Sequence, residues 1–180
     1  ADKNVDRMIS IVQDLQTISR FEAGELELNK ETFEICNLIE DVIETEKENA
    51  ANHQVTFEFF RGKQINVSAD KFRIRQVLTN LLVNSIKYSK PEGGETSIRI
   101  YNLENSIRIE ISDNGIGIPE KNLSRIFERF YRVDSSRSRD KGGSGLGLAI
   151  VKHIIEAHGE TIEVLSTSGV GTAFNLSLSK

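Results

Sequence analysis

A single cysteine, Cys36, occurs in 180 residues, so no internal disulfide is possible. A lone thiol without a partner at metal-ligand spacing also gives no zinc site, and a reducing compartment is the expected setting. No run of 18 apolar residues occurs, and no basic stretch followed by an apolar one opens the chain. Neither a membrane span nor a signal peptide is therefore expected, and these residues are placed in the cytoplasm. The phosphate-binding pattern G-x-x-x-x-G-K-[ST] is absent, as is a strand-borne G-x-G-x-x-G. Gly143 to Lys152 loosely imitates the glycine loop and lysine of Ser/Thr/Tyr kinases, but that fold needs a strand between them, and H-R-D and D-F-G are both missing. There is no internal repeat and no low-complexity tract. What remains, at 38% hydrophobic and 28% charged residues with a net charge of -4, is a globular chain of one or two domains. A chain of this size buries roughly 70% of its unfolded surface and folds without staples. Its charged, helix-forming opening suggests a piece of something longer.

Periodicity organises the chain. Val5, Met8, Ile9, Val12, Leu15, Ile18 and Phe21 fall on one helical stripe with no Gly or Pro inside it. Gly24 is placed to end that helix in a left-handed cap, which puts a boundary there, and residues 25–29 alternate as a short strand would. Residues 35–50 read as a second helix, with Ile35, Leu38, Ile39, Val42 and Ile43 on one side and a solvated acidic face on the other. Strands are expected at 55–60 and 65–67, separated by a turn at Arg61-Gly62-Lys63. Asp70 can cap a helix that runs to about Ser89. Residues 96–101 and 106–112 form a hairpin, 146–157 a helix, and 161–166 with 172–178 a closing hairpin. The expected fold is α/β, more narrowly α+β: a two-layer sandwich of three helices on a mixed, mostly antiparallel sheet, preceded by one separate helix.

Three segments carry candidate chemistry. On the helix from Asp70, Asn80, Asn84 and Lys87 recur at four and three residues, giving one face two carboxamides and an ammonium. A carboxamide oxygen suits Mg²⁺ and a lysine beside it can neutralise phosphate, although a solvated polar face would read the same way. Asp113-Asn114-Gly115-Ile116-Gly117-Ile118 follows a strand directly. Its glycines permit close backbone approach to a ligand, and a carboxylate at a strand end can accept from an amino group such as adenine N6; a plain turn is the alternative. Gly143-Ser144-Gly145-Leu146-Gly147 opens a helix, with uncovered backbone N–H groups at its positive end suited to a polyphosphate. Between Lys121 and Lys141 seven basic residues face three acidic ones, a local excess that would attract an anionic nucleotide. Nucleic-acid binding is disfavoured by the acidic remainder and the lack of a stacking platform. Phe127 and Phe130 are read as a small hydrophobic contact.

In this order the segments resemble the sensor histidine kinases, whose ATP-binding domain shares the Bergerat fold of DNA gyrase, Hsp90 and MutL. The resemblance covers nearly the whole chain: Asn80 to Tyr88 looks like the N box, Asp113 to Gly117 the first glycine box, Phe127 to Phe130 the F box, and Gly143 to Gly147 the second glycine box. It implies ATP and Mg²⁺ as cofactors, Asp113 on the adenine amino group, Asn84 on the metal, Lys87 on phosphate and Tyr88 near the base. Thr172 would support the adenine end, Gly115, Gly117, Ile118, Gly143, Gly145, Leu146 and Gly147 would complete the nucleotide site, and residues 119–144 would form a mobile lid. Asn80, where gyrase-like ATPases carry a glutamate, cannot take a proton from water, which points toward phosphotransfer to an outside nucleophile. His53, His153 and His158 fit no phosphoacceptor motif and are read as structural or surface residues. Residues 1–24 resemble the second helix of a dimerisation hairpin, with 25–180 the catalytic domain. The resemblance further implies a homodimer through that hairpin, a response-regulator partner, and a parent protein that is a candidate for membrane anchoring.

Overall fold

The computed structural model describes residues 3–25, 27–133 and 143–180. Among them, α1 (Lys3–Glu22) is followed by β1 (Glu31–Glu34), α2 (Ile35–Asn52), β2 (Val55–Phe60), β3 (Asn66–Ala69) and α3 (Lys71–Lys87). The hairpin β4 (Gly94–Asn102) and β5 (Ser106–Asp113) precedes the short α4 (Glu120–Leu123), then α5 (Gly147–Ala157), β6 (Ile162–Thr167) and β7 (Gly171–Ser179). Five strands form a sheet in the order β2-β4-β5-β7-β6, parallel only at β2-β4. β1 and β3 form a separate antiparallel pair. One sheet face supplies Ile98, Ile107, Ile109, Ile111, Phe174, Leu176 and Leu178 to the main core, which the apolar faces of α2, α3 and α5 complete. The expected α+β sandwich is therefore present. No helix among the described residues is long and apolar enough to cross a membrane.

Local chemistry sets the element ends. The α1 C-terminus closes with Gly24 at φ +67°, Gly24 N–H donating to Phe21 O at 3.1 Å and Glu25 N–H to Arg20 O at 3.0 Å, the paired bonds of a Schellman motif. At the start of α2 the Glu34 carboxylate accepts from Cys36 N and Asn37 N. Burial and then the Glu34 side chain push the Cys36 thiol up to about 12, so it is a packed core group rather than a nucleophile. Asp70 caps α3 as the sequence predicts, Oδ1 accepting from Arg73 N at 3.0 Å. Its Oδ2 accepts from Asn29 N at 3.0 Å, and its own N–H donates to Nε2 of buried His158 at 3.0 Å. One residue thus ties the linker after α1 to the start of α3 and the end of α5.

One strand assignment needs correction. No strand forms over the described residues 25 and 27–29: the Asn29 N–H is held by Asp70 instead of a strand partner, and pairing begins only at Glu31 opposite Ala69. The strands around the turn at 61–63 are not paired with each other. β2 runs parallel to β4 at the sheet edge, while β3 turns away to pair with β1, and Arg61 at the exit is held on α2 by Glu40 and Asn37. Alternation identified both strands correctly but cannot name their partners. The α1 stripe is also divided. Ile18 is completely buried, and Phe21 stacks on His153 of α5 at 6.4 Å between ring centroids, whereas Val5, Met8, Ile9 and Val12 are each at least 51% exposed.

Replacing Asp70 by Ala removes the α3 cap and the Asn29 tie together. Urea unfolding should show a loss of about 1–2 kcal/mol, only partly restored in Asp70→Asn; a wild-type midpoint in Asp70→Ala would contradict this role.

Candidate functional site

A cavity of about 380 Å³ opens at one end of the five-stranded sheet, between the C-terminal half of α3, the loop after β5, and β7. Its wall is mostly apolar, built from Ile116, Ile118, Ile126, Val133, Leu148 and Phe174 with the rings of Tyr88 and Tyr131. Polar groups enter at a few points: Asp113 and Thr172 from the strand ends, Asn84 and Ser89 from α3 and its exit, and Arg132. An apolar slot with few convergent polar groups is the usual form of a small-molecule site.

Asp113 is the one carboxylate lining this cavity among the described residues. Burial raises its pKa, opposed by hydrogen bonds from the backbone N–H groups of Gly115 and Thr172, the former 2.9 Å from Oδ1. The loop that follows is pinned on both sides. Ile116 N–H donates to Tyr88 O at 3.0 Å, Gly169 N–H donates to Ile116 O at 2.7 Å, and Ile118 N–H donates to Ser166 Oγ at 2.8 Å. Gly117 sits at φ +67°, and a Cβ there would run into the carbonyl of Thr167. Ser166 donates to Gly171 O at 2.9 Å and lies 2.8 Å from Thr172 Oγ1. With its proton spent on Gly171, Ser166 receives that of Thr172, so the Thr172 hydroxyl meets the cavity as an acceptor. Burial also raises the Tyr88 pKa, with Arg132 opposing, so the ring enters as a neutral phenol.

Asn84 and Asp113 face the same cavity; Asn80 and Lys87 stand beside it. Asn80, one turn earlier on α3, donates weakly from Nδ2 to Gly147 O at 3.4 Å and so touches the start of α5. The Lys87 ammonium lies 5.1 Å from the Tyr88 ring centroid, close against Gly143 where a Cβ would otherwise sit. Lys87 also lines an open polar groove of about 640 Å³ that adjoins the cavity at Ser89 and Pro91. The second glycine segment lies across this end, outside the cavity wall. Arg132 donates to Gly143 O at 3.3 Å, Phe130 N–H donates to Gly145 O at 2.9 Å, and Leu146 N–H is taken by Ser144 Oγ at 3.2 Å. The Leu146 side chain is completely buried, a core residue and not a lining one. Gly115 is buried beneath the loop, supporting Asp113 without lining the cavity.

Of the aromatic pair, Phe127 meets Phe174 edge to face at 6.4 Å and joins the core, while Phe130 is 56% exposed. The next residue, Tyr131, is the one that reaches the cavity, its hydroxyl bonded to buried Asn122 and its ring under the Arg125 guanidinium. None of the three histidines lines it: His53 bonds Asn49 O, His153 stacks on Phe21, and His158 bonds Ile154 O and Asp70 N. Arg137, Arg139 and Lys141 of the basic run, and with them much of the expected lid, lie outside the described residues. Sequence reasoning did not find Ser166, Ile126, Tyr131, Val133, Leu148 or Phe174 as site residues.

The raised Asp113 pKa has a definite consequence for stability. Its ionisation is disfavoured in the folded chain, so stability present below the unfolded carboxylate pKa of about 4 is lost as pH rises through the higher folded value. Asp113→Asn should therefore raise the melting temperature at pH near neutral, with the gain shrinking in melts toward about pH 4. A pH-independent difference would contradict the assignment.

The model of the family described as "Histidine kinase-, DNA gyrase B-, and HSP90-like ATPase" matches residues 69–180. The sensor histidine kinase WalK of Bacillus subtilis (strain 168) is 38% identical over 175 residues, covering 96% of this chain and 28% of WalK. Full-length ShkA, solved in complex with AMPPNP, superposes with a TM-score of 0.85 at 27% identity over 97% of this chain and 36% of its own. The histidine kinase ThkA, solved in complex with the response regulator protein TrrA, gives a TM-score of 0.73 at 27% identity, over 99% of this chain and 51% of that one. The chain thus spans about a quarter of the curated relative it matches. The matched segment runs from the α3 cap through both glycine segments to β7 and contains Asn84, Asp113 and Thr172: this chain belongs to the histidine kinase-, DNA gyrase B- and HSP90-like ATPase family.

Proposed function

We propose that this chain is the ATP-binding catalytic portion of a sensor histidine kinase, and that it passes the ATP γ-phosphate to a histidine outside these 180 residues. The observation that carries the reading is the shared cavity of Asp113 and Asn84. A half-buried carboxylate held by two backbone donors keeps an acceptor position for the adenine amino group, and the apolar wall between them takes the base. Asn84 then meets the phosphate end. Lys87 and Arg132, both gathered around Gly143, supply positive charge there.

The donor set suits Mg²⁺ only in company with the nucleotide. Among the described residues no cluster of three or more His, Cys, Asp or Glu could hold a metal ion by itself. A carboxamide oxygen such as that of Asn84 is a hard ligand and would hold the ion together with the nucleotide. The ion would supply positive charge against that developing on the transferring group. The protein holds ATP in line while an imidazole nitrogen bonds the γ-phosphorus and the bond to the β–γ bridging oxygen breaks, releasing ADP.

Transfer is favoured over hydrolysis by what stands one turn before Asn84. Asn80 offers a carboxamide already directed at Gly147 O, and no cavity-lining carboxylate other than Asp113 is present among the described residues to activate water. The WalK match and the ShkA and ThkA likenesses support the kinase reading, and ThkA's complex with a response regulator supports a receiver domain as the downstream partner. Residues 1–24 act in this reading as the second hairpin helix, and the exposed Val5, Met8, Ile9 and Val12 stripe supports pairing with helices of a homodimer. Residues 25–180 form the catalytic domain with its lid at 119–144.

Given Mg²⁺-ATP labelled on the γ-phosphate, the chain should label a separately supplied histidine-bearing hairpin in trans but not itself. It should show no steady phosphate release near 1 per second without that acceptor, a rate of about this size being ordinary for an enzyme. Asn84→Ala or chelation of Mg²⁺ should abolish labelling. Undiminished labelling by Asn84→Ala would reject the phosphate-end role, and brisk acceptor-free release would favour a hydrolytic ATPase.

A further inference from the structure

Strand pairing sets four polar side chains in one row at the cavity end of the sheet. Thr96 on β4 opposes Asp113 on β5, Asp113 opposes Thr172 on β7, and Thr172 opposes Ser166 on β6. Directly opposed residues share a face of the sheet, here the helix-covered one, since Thr96 is 1% and Thr172 7% exposed. Ser166, Thr172 and Asp113 have hydrogen bonds. Thr96 is different: its Oγ1 is buried with no hydrogen-bond partner among the described residues. A buried hydroxyl left so is rare enough in folded proteins to need a reason.

The flanking backbone bonds say how Thr96 stands to Asp113. Asn114 N–H donates to Glu95 O at 3.2 Å, one residue beyond Asp113 and one before Thr96. That places Thr96 and Asp113 in a non-hydrogen-bonded pair, the kind in which opposed Cα atoms approach to about 4.5 Å and side chains lie nearest. An ionised carboxylate has about four acceptor positions, of which the Gly115 and Thr172 N–H groups fill two. Ser166 spends its proton on Gly171 O, which leaves Thr172 to donate to Ser166, so within the row Thr96 is the side chain with a proton left to give. Thr96 lies behind Asp113 and not in the cavity wall, so it meets no ligand directly.

We propose that Thr96 is a positioning residue for nucleotide binding: its hydroxyl donates to the Asp113 carboxylate through one bridging water and holds it with a single acceptor position left open to the purine amino group. A third donor also counters the burial that disfavours the Asp113 anion. The inference rests on the ATP-site reading above.

Calorimetric titration of the 180-residue chain with Mg²⁺-ATP tests it in the wild type, Thr96→Val and Thr96→Ser, at about pH 6 and about pH 8. Valine keeps the volume but takes a donor from the Asp113 anion, so the melting temperature should fall, and fall more at the higher pH. ATP affinity should drop about tenfold, as for loss of a hydrogen bond to a charged group, and more at the lower pH, while Thr96→Ser stays within about twofold of wild type. Wild-type affinity in Thr96→Val at both pH values, or an equal loss at both with no rescue by serine, would overturn the proposal. If Thr96→Val loses its folded circular-dichroism signal, Thr96→Ala takes its place with the same two criteria. A wild-type chain that does not bind Mg²⁺-ATP would instead refute the reading of the site, leaving an intact Thr96 effect nothing to act on.

Discussion

A carboxylate set into an apolar wall is the constraint that organises this end of the molecule. Asp113 terminates β5 where water is partly excluded, and its charge is tolerated because backbone N–H groups from Gly115 and Thr172 point at it. Those donors exist only if two other segments are held in place. The loop after β5 is tied to the exit of α3 through Tyr88 O and to the β6–β7 turn through Gly169, and β7 is fixed by full antiparallel pairing with β5. Gly117 follows from the same requirement, since a side chain there would displace the Thr167 carbonyl. One half-buried charge therefore couples three strands, a helix terminus and a glycine turn, and the same coupling brings Asn84 on α3 within the cavity that Asp113 lines.

The features legible in the sequence were those set by local periodicity. The α3 face was visible because Asn80, Asn84 and Lys87 follow a helical repeat and Asp70 is a recognisable cap. Both antiparallel hairpins were visible because alternation and short polar links sit next to each other in sequence. Partner choice was not visible: β2 and β3 alternate well, but nothing local reports that one joins β4 in parallel and the other joins β1. The cavity wall was hidden for a related reason. Ile126 and Tyr131 follow α4, Leu148 lies on α5 and Phe174 on β7, so each reads singly as a core position, and Phe127, the more conspicuous aromatic, packs on Phe174 while Tyr131 reaches the site. Thr96 and Ser166 looked like ordinary strand residues; only the register reveals that they flank Asp113 and Thr172 in one row.

The contact between α1 and the remainder adds a mechanical link. Glu22, in the last turn of α1, lies 2.9 Å from Arg129 and 3.8 Å from His153, while Phe21 stacks on the His153 ring. Arg129 is two residues before Tyr131, and Tyr131 and Arg132 both line the cavity. Exposed ion pairs of this kind contribute little to stability, typically below about 1 kcal/mol, so their significance lies in placement. Ile18 of α1 is completely buried and α1 packs on α5, so these contacts set the end of α1 beside the segment that walls the cavity.

If one cavity grips both ends of a purine triphosphate, a ¹H–¹⁵N NMR titration of the chain with Mg²⁺-AMPPNP reports it directly. The backbone amides of Gly115 and Thr172 and the side-chain amide of Asn84 should shift together along one saturation curve. Shifts at Asn84 that saturate without change at Gly115 and Thr172, or the reverse, would place the two ends in separate sites and contradict it.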